Sequence, residues 1–425
     1  VASKVMSMEA RFSRFIRVVV LIVGMAGFVA NVCEAGENGR QDREAKNEWV
    51  DTYTGHRVIR LSRREGQHRS FYFHNNPFIE ARSDEGDKMV FYGLTPERWQ
   101  LFTVNLKTLK IEQLTYHEGG VKGEIVARKR REVIYYYHNM VFATHVDMLV
   151  TREVVRLPED FAGRPATINA DETLLAGAYA ESIKRHLKKP RREWFREIFE
   201  AKLPNHIFTI NLETGNVKKI YRTNTWLNHL QFSPTDPGLL MFCHEGPWHE
   251  LHRIWLIRSD GTGLRKIHER SIKNEIAGHE FWSPDGKRVW FDLQIPRGRT
   301  FFLAGASIDI DTGEETRYQL ERDEWSVHYN VSKDGSMFCG DGGGAKSVAR
   351  AENGKWIYLF RPDGGKLRME RLCSLAAHDY NLEPNVHFTP DGKWVVFRSN
   401  MHGHSQIYAV EVTRNDSDAM PAKKP

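Results

Sequence analysis

The feature that most constrains this chain is a short motif that keeps returning. A Ser or Thr followed by Pro-Asp-Gly, or a close variant, sits between two apolar, alternating segments in "HEFWSPDGKRVWFDL", "VHFTPDGKWVVFRSN", "HYNVSKDGSMFCGDG" and "HLQFSPTDPGLLMFCHE", with looser copies in "TINADETLLAGAYA" and "EARSDEGDKMVFYG". A third apolar segment follows each, as in "HIFTINLETG", "HRIWLIRSDGTG" and "KWIYLFRPDGG". Period-two alternation bounded by Asp-Gly and Pro-Asp-Gly signals reads as antiparallel strands joined by tight turns. One such small sheet cannot bury both of its faces, and its return every roughly 40 to 50 residues is the signature of a β-propeller. Units begin near residues 71, 121, 164, 226, 276, 325 and 382, which predicts an all-β, seven-bladed propeller over residues 36–415. "GHRVIRLS", ahead of the first unit, has no blade of its own; pairing it with the last blade would hide two sheet edges.

Three segments fall outside the pattern. Arg11, Arg14 and Arg17 precede the apolar run "VVVLIVGMAGFVA", and small residues follow up to Ala35, so residues 1–35 read as a cleaved signal peptide rather than a membrane anchor. Export to the periplasm or outside the cell is the corresponding expectation. Residues 416–425 read as a disordered tail. Within the third unit, "ESIKRHLKKPRREWFREIFEAKLP" spaces Ile183, Leu187, Trp194, Phe195, Ile198 and Phe199 as a helix does, which predicts a small helical insertion, either a lid over one mouth of the propeller or a solvated decoration.

Cys243, Cys339 and Cys373 are an odd number in the mature chain, so no disulfide framework is expected. The net charge of +6 falls to +4 once the leader's charges are set aside. Such a balance suits an anionic small substrate and equally well ordinary solubility. Basic runs such as "RHLKKPRRE" lack the interleaved aromatics of a nucleic-acid groove, which discounts that partner.

Aligning the inner strands on their Ser/Thr turn puts His229, His279, His328 and Asn385 in one register, four places before the Ser or Thr. Inner strands line the channel of a propeller, so these side chains should share one space, as a metal or anion site would require. Glu280, Asn330, Glu383 and His387 lie close by. A set of N and O donors suits Mn²⁺, Fe²⁺, Zn²⁺ or Ca²⁺ rather than a thiolate metal. His244 ends the second strand of the fourth unit, within "FCHEGPWHELHRIW", where a strand-to-loop exit leads to the channel mouth.

The stretch "WLNHLQFSPTDPGLLMFCHEGPWHELHRIW", with "AGHEFWSPDGK" and "EPNVHFTPDGKWVVFRSN", resembles the oligogalacturonate lyases, a polysaccharide lyase family built on a seven-bladed propeller. The resemblance implies β-elimination of short pectic oligomers with a histidine base, an arginine near the substrate carboxylate, and a divalent metal, typically Mn²⁺. It further implies His244 as the base, Arg222 as the arginine and His279 as one metal ligand. Tyr380, Glu383 and Asn385 stand where the family has Gln, His and His, and His328 or His387 can complete the set. His229 and Trp248 are the expected substrate contacts. Trp248, Trp282 and Trp325 read either as a sugar-stacking wall or as blade packing.

The chemistry asks for these groups. Taking the C5 proton of a uronate requires that its carboxylate be neutralised, which a divalent cation or an arginine does. A neutral histidine is then a competent base. Two other readings stay open at this point: elimination from another uronate-containing oligosaccharide, and a non-catalytic periplasmic propeller that binds a partner at its mouth.

Overall fold

The computed structural model describes residues 46–414, apart from 160, 184–190, 310–311 and 351–353. The expected leader and the tail lie outside these residues. The described chain forms seven antiparallel sheets and a helix, Arg191–Ala201, inserted between two strands of the third sheet, Leu174–Ala180 and Asn205–Asn211. None of its helices is long and apolar enough to cross a membrane.

The recurring turn explains the regularity of the blades. In the fifth, the strands Ile276–Trp282 and Arg288–Gln294 are joined by Ser283 to Lys287. There the Ser283 hydroxyl donates to Asp285 Oδ1 at 2.6 Å and accepts from the Arg288 amide at 2.9 Å, while Gly286 takes the left-handed φ of +69°. Thr389, Asp391 and Gly392 repeat the device in the seventh blade and Ser332, Asp334 and Gly335 in the sixth. The motif is thus a hairpin capped by its own side chains.

Alternation along each strand sends side chains to opposite faces, and each face meets a neighbouring blade. From the fifth blade, Val289, Phe291 and Leu293 pack with Leu239, Met241 and Leu256 of the fourth, whereas Trp290 and Phe301 pack with Tyr329, Phe338 and Tyr358 of the sixth. The described core is seven such wedges, one for each seam between blades. Cys243, Cys339 and Cys373 are free and buried within it. Trp325 is fully buried against Phe301, so it serves packing.

Ring closure follows the expected route. The strands Arg57–Arg60 and Glu48–Val50 extend the last blade, with Val58 opposite Val410 and Ile59 opposite Ala409. The first blade departs from expectation. Its inner strand is broken into His68–Arg69 and Phe78–Ile79, and the residues between leave the sheet. Glu124 of the second blade accepts from the Tyr72 amide at 2.8 Å, Asn385 of the seventh accepts from the Phe73 amide at 2.9 Å, and Asn330 of the sixth donates to the Phe73 carbonyl at 3.0 Å. Tyr72 also meets His229 of the fourth blade, and Phe73 meets Phe281 of the fifth. A segment touching five inner strands crosses the axis of the ring.

Val58 tests the closure: it is fully buried in the seam of the last two blades. Val58→Asp buries an unpaired charge there, and urea unfolding should report a loss of about 3 kcal/mol or more relative to the parent.

Candidate functional site: a histidine cluster beneath a cavity at the channel mouth

The shared register has a backbone cause. His229 and His279 each sit in a β-bulge, where the pairing shifts between Asn228 and Gln231 and between Gly278 and Phe281, and both adopt left-handed φ values, 50° and 47°. Asn385 has φ 53°. A side chain on such a residue leaves the plane of the blade, and here it turns toward the axis.

Two of the histidines are further fixed by carboxylates. His279 Nδ1 lies 2.7 Å from Asp292 Oδ1, and His328 Nδ1 lies 2.7 Å from Asp341 Oδ2. A carboxylate on Nδ1 selects the tautomer that carries its hydrogen there and leaves Nε2 as a free acceptor. His328 Nε2 is buried without a hydrogen-bond partner, and the Glu383 carboxylate lies 3.9 Å from it. The two rings are 4.8 Å apart. Burial disfavours the charged form of His279, but the Asp292 carboxylate outweighs it and raises the pKa.

A cavity of about 870 Å³ opens above this pair, lined by His279, Glu383, Trp248, Phe195, Arg297 and Lys346 among others. Trp248 lies edge-on to His279 at 5.1 Å and over the Arg253 guanidinium at 4.4 Å, and Gly278 is the space it occupies, since a Cβ there would meet the indole at 2.3 Å. The inserted helix reaches the same mouth: Phe199 packs on Gly246, Arg196 pairs with Glu250, and Phe195 lines the cavity.

Arg253 is a buried charge beside the site that the sequence reading missed. Fully buried, it bonds Glu245 at 2.8 Å and Glu280 at 3.3 Å. Burial works against both charges, yet the pairing lowers Glu245 to about 2 and raises Arg253. Glu245 in turn lies 3.7 Å from His229 Nε2. Asp292 and Asp341 were also overlooked, although a signal existed: each stands 13 residues after its histidine.

Four expected residues are placed elsewhere. His244 faces away from the cavity, because alternation puts Cys243 and Glu245 beside His229 and sends His244 into the seam with the third blade, its ring 4.7 Å from Trp255. Burial and His252 lower its pKa to about 4. Arg222 is exposed on Val217–Thr223, the outermost strand of the third blade, a position from which no side chain reaches the axis. The Asn385 amide is used up by the Phe73 amide and the Glu383 carbonyl. His387 contacts the Tyr72 and Asn75 carbonyls from the other side of the crossing segment, where it lines a separate cavity of about 750 Å³. Tyr380, too, is held by the Asp341 and Gly354 carbonyls. Of the three tryptophans, Trp248 alone lines the cavity, while Trp282 sits in a blade seam.

The buried histidines make a pH prediction. His68, His244, His378 and His387 are each lowered to about 4, in every case first by burial. An unfolded chain binds protons at these groups from near 6.5 downward while the folded chain does not until about 4, so stability falls as pH drops through that window. His268 and His279 are raised and act oppositely, but they are outnumbered. Calorimetry should give a lower Tm at pH 5 than at pH 7.

Comparison with known proteins agrees with this architecture. A family model described as oligogalacturonate lyase matches residues 38–416. The chain is 29% identical over 387 residues to an oligogalacturonate lyase of Dickeya dadantii (strain 3937), covering 86% of this chain and 95% of the relative. It is 28% identical, with the same coverage, to an oligogalacturonide lyase of Pectobacterium atrosepticum. A solved structure of an oligogalacturonate lyase in complex with manganese superposes with a TM-score of 0.74 at 26% identity, covering 87% of this chain and 96% of the other.

Proposed function

The chain belongs to the oligogalacturonate lyase family, and from that premise we propose that it cleaves short oligogalacturonates by β-elimination with His279, rather than His244, as the base. One observation carries the assignment: His279 lines the cavity with Nδ1 held by Asp292 and Nε2 free. In the reaction Nε2 takes the C5 proton, the C4–O bond breaks, the C4–C5 double bond forms, the departing oxygen takes a proton from water, and the imidazolium returns its proton to solvent. Asp292 stabilises the imidazolium that results, as an orienting carboxylate does beside any histidine base.

Trp248 forms a wall on which a sugar ring can lie, and it is held in place over the Arg253 guanidinium, whose charge is spent on Glu245 and Glu280. The donor chemistry fits a divalent cation such as Mn²⁺. The orphaned Nε2 of His328 and the Glu383 carboxylate are an N/O pair that would hold it, with substrate and water as the remaining ligands. When bound, such an ion neutralises the uronate carboxylate and so acidifies C5–H. His279 keeps its lone pair for the proton.

The experiment follows formation of the unsaturated uronate product by ultraviolet absorbance, alongside Mn²⁺ binding by calorimetry. His279→Ala should lower kcat by roughly 10²- to 10⁴-fold while Mn²⁺ still binds. His328→Ala should abolish Mn²⁺ binding, and chelation of the parent should remove activity that Mn²⁺ restores. His244→Ala should stay within a few-fold of the parent rate. A His279→Ala protein that retains near-parental kcat overturns the base assignment.

A further inference from the structure

A uronate oligomer carries a carboxylate on every sugar, so a site that takes two or three units must accommodate more negative charge than the reacting centre alone disposes of. We propose that Arg297, Lys346 and Lys355 form an anion subsite that holds the carboxylates of the units flanking the one that reacts, and so selects free-acid oligomers. The proposal rests on the lyase reading above and adds what decides the substrate's length and esterification.

All three residues line the cavity that contains His279 and Glu383. They come from separate loops whose backbones are fixed. The Arg297 amide donates to the Asn274 carbonyl at 2.8 Å. Lys346 lies in a turn closed by the Ser347 amide and hydroxyl on the Gly344 carbonyl at 3.0 and 2.8 Å. That turn is tied to the residue before Lys355 by the Gly343 amide on the Gly354 carbonyl at 2.7 Å, and the Lys355 carbonyl accepts from Leu375 at 2.8 Å. Among the described residues the backbones are anchored and the charged heads are not.

Some cations elsewhere are matched with acids: Arg131 pairs with Asp147, Arg152 with Glu132 and Arg288 with Glu314. Among the described residues, Arg297, Lys346 and Lys355 make no such pair. The cavity's own acids are engaged, Glu383 beside His328 and Asp379 with the Asn381 amide groups at 3.0 and 3.1 Å. Desolvation and the neighbouring Arg350 both lower the Arg297 pKa, so this cation is strained by its surroundings and relieved by any anion that enters. The same cavity is lined by apolar rings, Trp248 and Phe195. Cations and rings in one cavity match the two kinds of surface an oligouronate offers, carboxylate edge and C–H face.

The test replaces all three together: Arg297→Ala, Lys346→Ala and Lys355→Ala, each an exposed side chain whose loss leaves the fold intact, as an unchanged Tm will verify. For trigalacturonate, KM should rise roughly tenfold or more with kcat within about twofold, the split expected of binding made equally in ground and transition states. The parent's KM should climb with added NaCl and the variant's should respond much less. Calorimetry in the His279→Ala background, where turnover is slowed, and with product absorbance monitored to confirm that substrate survives the titration, should show parental cations binding trigalacturonate at least tenfold more tightly than its methyl ester, and the triple variant losing that preference. An unchanged KM, or equal affinity for acid and ester in the parent, overturns the subsite. A parent that binds the free acid selectively yet forms no unsaturated product overturns the lyase reading instead.

Discussion

A propeller blade is amphipathic on both faces, and only a closed ring gives every face a partner. Each seam here holds one apolar wedge, so opening any seam exposes two blades at once. The contact that prevents this is main-chain pairing between Arg57–Arg60 and Gln406–Glu411, segments separated by most of the chain. Val58 and Ile59 lock that pairing from its two sides, one into the seam with the sixth blade and the other into the seam with the first. Everything at the axis, including the relative positions of histidines from different blades, depends on this closure.

Within the closed ring, two devices aim the chemistry inward. Left-handed bulges turn His229 and His279 out of their strands, and carboxylates thirteen residues on fix the rings of His279 and His328. The equivalent of Asp292 and Asp341 in the fourth blade is Cys243, which offers no such anchor, and there Glu245 and Arg253 supply the charge instead. One scaffold position therefore takes different chemistry in successive blades. The partner beside each ring distinguishes these histidines more sharply than residue type does.

Much of this was legible in the sequence because it is local. The self-capped Ser/Thr-Pro-Asp-Gly hairpins, the period-two strands and the helical spacing of Trp194, Phe195, Ile198 and Phe199 are written within a few residues of one another, and they gave the blade count, the closure and the insertion. The inward register of His229, His279 and His328 was legible for the same reason. What failed was long-range or depended on one-residue parity. His244 is one place from Cys243 and Glu245, and that single step decides between channel and seam. Arg222 stands where the resemblance implies an arginine but lies on an outermost strand, whereas Arg253, which follows the loop after "HEGP", is the one buried beside Glu245 and Glu280. Asn385 and His387 fell out of the donor set because a segment of the first blade occupies their side chains, and no periodicity announces a strand that leaves its sheet.

That segment makes the molecule a pair of back-to-back basins rather than a tube. Tyr72, Phe73 and His74 stand between the cavity under Trp248 and the one lined by His387, so a polymer cannot be threaded from one face to the other, and whatever enters a basin must leave by the same rim.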